Sequence, residues 1–244
     1  MNPVDKVKHC IIVNLDRRPD LWENLAPMRE GMARVGIEVH RLSGRDANDE
    51  PQLIANLYKE GVLDLNSSGW RRNVKQLRGE LGCFASHYNA LKKIVENAWE
   101  PCLVMEDGIQ CLRTDFENLE IARGLDIGIC HPHMSQFREL DGWGLQGYIV
   151  TVSAARKILK LAFPLKCPFD ITLRELMRKY ELAHFEQKEH FFKRKYDRVS
   201  SVGLPEGHTD DRVVDKQLFM PIWKRIVDGC IKRGLNLEEL IEDA

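Results

Sequence analysis

Two hydrophobic patterns alternate along the chain. Short continuous apolar runs, each bounded by polar or turn residues, read as buried strands: HCIIVNL (9–15), IEVHRL (37–42), PCLVME (101–106), LDIGIC (125–130) and GYIVTVS (147–153). Longer amphipathic stretches stand between them. After the first run, Leu21, Leu25, Met28 and Met32 keep helical spacing. Asp16 can cap the start of that helix, Pro19 suits its first turn, Pro27 predicts a kink or break midway, and Gly36 ends it. QLIANLYKEG (52–61) is a short helix, and 77–99 is a strong one, with Leu77, Leu81, Phe84, Tyr88, Leu91, Ile94, Val95 and Ala98 at steps of three or four. DFENLEIARG (115–124), SAARKILKLAF (153–163, Ser-capped) and PFDITLRELMRKY (168–180) read as further helices. ELAHFE (181–186) and HFFKRKY (190–196) are short strand-like pieces, and 221–243 forms one or two terminal helices. DLNSSGWRRNVKQ (64–76), polar and marked by Gly and Ser, is expected to be a mobile loop. Strand, helix, strand at the start predicts a βαβ unit with a parallel sheet, so the class is α/β with a more irregular C-terminal third.

Composition narrows the function classes. With 244 residues the chain makes one large domain or two small ones. A net charge of −1, from 36 basic and 37 acidic residues, argues against a nucleic-acid binder acting through bulk electrostatics. No apolar run approaches the roughly 20 residues that span a membrane. The first apolar run is too short for a signal peptide and meets charge at once. The seven cysteines are scattered without a CxxC pair, and several lie in apolar runs where they act as small hydrophobes. These features lead us to expect a reducing, cytoplasmic setting.

Where the charges fall is more telling than their sum. The stretch CLVMEDG (102–108) runs from a buried strand straight into Glu106 and Asp107. Ligands of α/β sheets bind beyond the carboxyl ends of the strands. Hard divalent cations bridge one or two carboxylates to phosphates. The pair is therefore either a metal or diphosphate site or a solvated strand end. Asn14, Asp16, Arg17 and Arg18 close the first strand, as a nucleotide-recognising set or as a polar turn with a helix cap. Glu80 and His87, seven apart, face the same way on one helix, in a stripe with Phe84 and Leu91. They form a site wall or a core hydrogen bond. Gly79 and Gly82 permit close backbone packing or leave amides for an anion. His131 and His133, just past a strand, are rim candidates for metal or proton chemistry, although two histidines alone make no zinc site. Asp170 caps a helix, or serves as a general base or sugar-hydroxyl acceptor. The basic run KRKYDR (193–198) is a solvated face or a diphosphate contact.

In their order these stretches resemble glycosyltransferase family 25, the lipooligosaccharide and procollagen galactosyltransferase group. The resemblance rests on IIVNLDRRPDLWENL, VHRLSGRDAND, RGELGCFASHYNAL, CLVMEDG, LQGYIVTVSAARKIL and PFDITL, between about residues 9 and 202. It implies a GT-A-like, Rossmann-type domain over 1–205, with a mostly parallel central sheet flanked by helices. Residues 206–244 would be a helical extension packed on it. It implies inverting transfer of galactose or glucose from a UDP-sugar to a hydroxyl of a glycan or protein, aided by Mn²⁺ or Mg²⁺. By position, Asn14, Asp16, Arg18 and Asp46 would hold uridine, Glu80 and His87 would form the helix wall, Glu106 and Asp107 would hold metal and diphosphate, and Asp170 would face a sugar. Arg71, Arg72 and Lys75 would close over the leaving diphosphate. No nucleic-acid partner or membrane span is expected; a homodimer is left open. One departure stands out: the family's acidic element is usually E-D-D, and here the third place is Gly108. That favours the rival expectation, a catalytically silent relative that binds a nucleotide, glycan or protein.

Overall fold

A computed structural model describes residues 3–47, 50, 52–64, 67, 74–130, 146–179, 181–186 and 191–194. In chain order it contains β1 (Val4–Lys6), β2 (His9–Leu15), α1 (Pro19–Asn24), α2 (Ala26–Arg34), β3 (Glu38–Gly44), α3 (Gln52–Lys59) and α4 (Val74–Asn97). There follow β4 (Cys102–Glu106), β5 (Ile109–Cys111), a 3₁₀ turn (Phe116–Asn118), β6 (Glu120–Ala122), β7 (Ile127–Ile129) and β8 (Gly147–Val150). The last described elements are α5 (Val152–Leu161), α6 (Phe169–Arg178), β9 (His184–Glu186) and β10 (Phe192–Arg194). Among the described residues no helix is long and apolar enough to cross a membrane.

Six strands form the central sheet, in the order β3-β2-β4-β8-β7-β9. The β2–β3, β2–β4 and β7–β9 pairs are parallel, and β8 runs antiparallel to both β4 and β7. Five strands thus point one way and β8 points back, which gives the mostly parallel α/β sheet expected. Both faces are covered, as the unbroken apolar runs demand. On one face Cys10, Ile12, Leu103, Met105 and Ile149 share a core with Leu25, Met28 and Met32 of the α1–α2 region. The alternate residues Ile11, Val104, Tyr148 and Val150 are buried as well. Burial pushes the thiols of Cys10, Cys102 and Cys130 up, so they behave as small apolar side chains.

The contacts divide the chain into two compact units. The first takes Met1–Gly44, Ser86–Leu161 and Leu173–Arg198, and holds the sheet. The second takes Arg45–Ala85, Ala162–Thr172 and Val199–Ala244. In its described part, a parallel bridge joins Leu63 to Leu165, and Phe84 packs against Phe163 and Phe169 at ring separations of 5.8 and 5.6 Å. Gly82 serves packing here. A Cβ on it would stand 2.7 Å from the Arg45 carbonyl oxygen and 3.3 Å from the Ala47 nitrogen, both backbone atoms with little room to yield. Gly82→Ala is expected to cost about 1–3 kcal/mol, the range for overpacking. A urea unfolding midpoint equal to that of the parent chain would contradict this.

Several local expectations are corrected. Residues 115–124 form a 3₁₀ turn and then β6, not a helix, because β6 finds an antiparallel partner in β1. Asp16 does not cap α1, which has no side-chain cap; its carboxylate turns to β3 instead. Helix α5 is capped by the Thr151 hydroxyl, which accepts from the Ala154 amide at 3.1 Å, and not by Ser153. The break foreseen at Pro27 occurs at Leu25, between α1 and α2. Helix α4 begins at Val74, inside the stretch read as a loop. His131, His133, Arg71, Arg72, the Lys75 side chain, most of KRKYDR and residues 206–244 lie outside the described residues.

Candidate active site

Parallel pairing sets the carboxyl ends of β3, β2 and β4 side by side, with Asn14 beside Ser43 and Val13 beside Glu106. The polar groups that follow the apolar runs are therefore gathered at one edge of the sheet. Asn14 is the hub, and it is fully buried. Its amide nitrogen donates to Asp107 Oδ2 at 2.7 Å and to the Arg18 carbonyl at 2.9 Å. Its oxygen accepts from Arg41 Nε and Nη2 at 2.8 and 2.7 Å. An amide can do this where a carboxylate cannot, because it donates on one side and accepts on the other.

Around Asn14 the charges fall into two groups. On the β3 side, Asp16 accepts from Arg41 Nη2 at 2.8 Å and from the Ser43 hydroxyl at 2.5 Å. The Ser43 hydroxyl first, and Arg41 second, hold the exposed Asp16 carboxyl below the ordinary range. Arg18 donates two hydrogen bonds to Asp20, at 3.0 and 2.9 Å, which hold its guanidinium charged. On the β4 side, the Asp107 backbone amide donates to the Val13 carbonyl at 3.0 Å and so fixes the turn after the strand. Burial raises the Asp107 carboxyl above its ordinary pKa, and the neighbouring Glu106 adds to this; the Asn14 amide and, less, Arg18 act in the opposite direction.

Glu106 lies on the face of α4. Its Oε1 stands 3.4 Å from His87 Nε2, and His87 Nδ1 stands 3.1 Å from the Tyr148 hydroxyl. His87 is completely buried, so β8 and α4 between them fix the imidazole that meets Glu106. After Asp107, Gly108 leaves open space: a Cβ there would meet nothing within 4 Å, and its φ lies outside the left-handed range.

Of the residues singled out in the sequence, Asn14, Asp16, Arg18, His87, Glu106 and Asp107 all belong to the first unit. Asn14 joins Arg18 and Asp107 directly and Asp16 through Arg41, while His87 joins Glu106. Asp46, Glu80 and Asp170 belong to the second. Asp46 and Glu80 are buried there, and Asp170, in the first turn of α6, accepts from the Ile171 amide at 2.9 Å. Sequence reasoning missed Arg41, Ser43 and Tyr148. The signal for the first two was present: Arg41 and Ser43 are polar at a spacing of two on a strand, hence on one face. Tyr148, inside a run of apolar residues, gave none.

Residues 7–121 match the model of glycosyltransferase family 25, described as an LPS biosynthesis protein. A procollagen galactosyltransferase 2 of Homo sapiens is 28% identical over 203 residues, which cover 72% of this chain and 31% of that protein. A glycosyltransferase 25 family member of Aedes aegypti is 30% identical over 149 residues, covering 59% of this chain and 21% of that one. The chain thus spans about a fifth to a third of the length of these curated relatives. A crystal structure of a glycosyltransferase involved in glycosylation of the major capsid of PBCV-1 is similar with a TM-score of 0.47 and 6% identity, over 78% of this chain and 92% of that one.

Proposed function

From the match of residues 7–121 to the glycosyltransferase family 25 model we propose that the chain is a member of that family and moves a hexose, galactose or glucose, from a UDP-sugar to an acceptor hydroxyl on a glycan or protein, with inversion. The observation that carries this reading is the buried Asn14 amide, which binds Asp107 at the end of β4 and Arg41 of β3 at once. It ties a carboxylate and a guanidinium to the sheet edge at which α/β folds take nucleotides. Asn14, Asp16 and Arg18 hold the nucleotide in this reading. His87 is a positioning residue that orients Glu106. Inverting transfer also requires a base to take the acceptor proton.

The residues present fit a hard cation. Such ions need only one or two protein carboxylates when a diphosphate supplies the rest, and burial makes the Asp107 charge one that a cation would offset. Glu106 and Asp107 would hold Mn²⁺ or Mg²⁺, which when bound neutralises charge gathering on the leaving UDP.

Gly108 favours a second reading, a silent family member that binds the nucleotide without turnover. One experiment separates them. UDP release is followed across a panel of UDP-sugars, with and without Mn²⁺. The transferase reading expects slow release that Mn²⁺ accelerates. Stabilisation by UDP with no release from any donor would overturn it in favour of the binder. Gly108→Asp sharpens the test, because the site has room for the side chain on an ordinary backbone. The added carboxylate is expected to tighten Mn²⁺ about tenfold or more, from charge at close range. Unchanged Mn²⁺ dependence in this variant would place the cation elsewhere.

A further inference from the structure

A second cluster of metal-ligating side chains stands at the opposite end of the same strands. His9 opens β2 and is paired in register with Glu38, which opens β3; His40 lies two residues further on and so on the same face as Glu38. His9 Nδ1 and His40 Nε2 are 3.3 Å apart. Glu38 Oε2 lies 3.6 Å from His9 Nδ1, and Oε1 lies 3.8 Å from His40 Nε2. The imidazoles are stacked with Trp99, at ring separations of 5.3 Å for His9 and 4.0 Å for His40, with planes within 18° and 13°. Asn14 is five residues along β2, roughly 16 Å away, so this cluster is no part of the candidate active site.

We propose that His9, Glu38 and His40 bind one divalent transition-metal ion of the borderline class, zinc foremost. The spacing is what the ion requires. Zinc–nitrogen bonds of about 2.0–2.1 Å at a tetrahedral angle set two ligand nitrogens about 3.3 Å apart. In the absence of an ion the same separation serves as a hydrogen bond between the rings. Glu38 meets the two imidazoles through different oxygens, so its carboxylate must shift inward to join them on one ion, and its side chain, 67% exposed, is free to do so. Two nitrogens and one carboxylate oxygen suit zinc, copper or nickel rather than Mg²⁺ or Ca²⁺, which prefer oxygen. The stack on Trp99 limits ring rotation, and side-chain exposures of 23% and 22% for His9 and His40 leave an approach from solvent. Lys93 is close enough to oppose a cation at His40, while Glu38 favours one. Three protein ligands leave a fourth position for water. The bound ion would clasp the start of β3 to the start of β2.

The test uses the full chain, stripped with a chelator and then titrated with Zn²⁺ by calorimetry. One equivalent is expected to bind in the micromolar range or tighter. At saturation Tm is expected to rise by about 5 °C. His40→Gln and Glu38→Gln should each lose at least the tenfold to hundredfold in affinity that even an outer-shell change costs, with far-UV circular dichroism unchanged. Asp107→Asn, in the candidate active site, should bind zinc as the parent does. Cu²⁺ should quench tryptophan emission in the parent and much less in Trp99→Phe. Equal zinc affinity in the parent and in both ligand variants would overturn the proposal, as would a parent chain that takes no zinc.

Discussion

Asp107→Asn is expected to raise the stability of the protein while stopping turnover. Burial lifts the folded-state pKa of Asp107 above its ordinary value, with Glu106 adding to the effect. A carboxyl of this kind favours the fold fully when protonated in both states. Its contribution is lost as pH rises from the unfolded value, about 4, through the higher folded value. Above that window the parent therefore holds a charge that works against folding, and a neutral amide of the same shape relieves it. Unfolding free energies measured against pH should show the parent losing stability relative to the variant across that window, and no difference below it. Asp16 and Asp115, whose carboxyls are held low by Ser43 and Arg41 and by Arg113, slope the other way, but they do so equally in both chains. UDP release should fall about a hundredfold or more, the scale for removing one electrostatic group from a reacting centre. A stable, inactive variant identifies a functional charge rather than a structural one. A variant that is less stable at pH 7 and equally active would show that Asp107 merely ends a strand.

The second large effect is on the fold. Asn14→Ala should lower the unfolding free energy by about 3 kcal/mol, the upper part of the range for stranding buried partners and fitting for charged ones. The substitution removes four hydrogen bonds at once and leaves the Asp107 carboxylate without its amide donor. That amide now lowers the Asp107 pKa, so its loss should also steepen the pH dependence described above. The two sites share one bond and their effects should not add: in Asn14→Ala/Asp107→Asn the second change should recover part of what the first removed. Urea melts of the four chains measure this. A single-site loss under about 0.5 kcal/mol, the level of an ordinary surface change, would mean that the hub is not what holds the sheet edge together.

The sequence alone determined the elements whose pattern is local and strong. The run 9–15 is β2 residue for residue, and α4 follows the spacing of Leu81, Phe84, Leu91 and Ile94. Gly36, with a φ of 83°, stands where the first helical stretch must end. The collection of acid and amide groups beyond strand ends was legible too, because strand ends in such sheets converge. What the sequence could not supply were elements made by partners far along the chain. Strands β1, β5 and β6 have three residues each, too few for a period, and exist because β6, β10 and β1 pair with them. The reversal of β8 was decided the same way, by its antiparallel fit between β4 and β7. Tertiary structure also chose the partners within the site. It took Asp16 from a helix cap to Arg41 and Ser43, 25 and 27 residues away, and gave Asn14 a carboxylate 93 residues on. It brought His9, Glu38 and His40 together through strand register. Hydrophobic period is written into a short window of residues; register and hydrogen-bond partners depend on which windows meet.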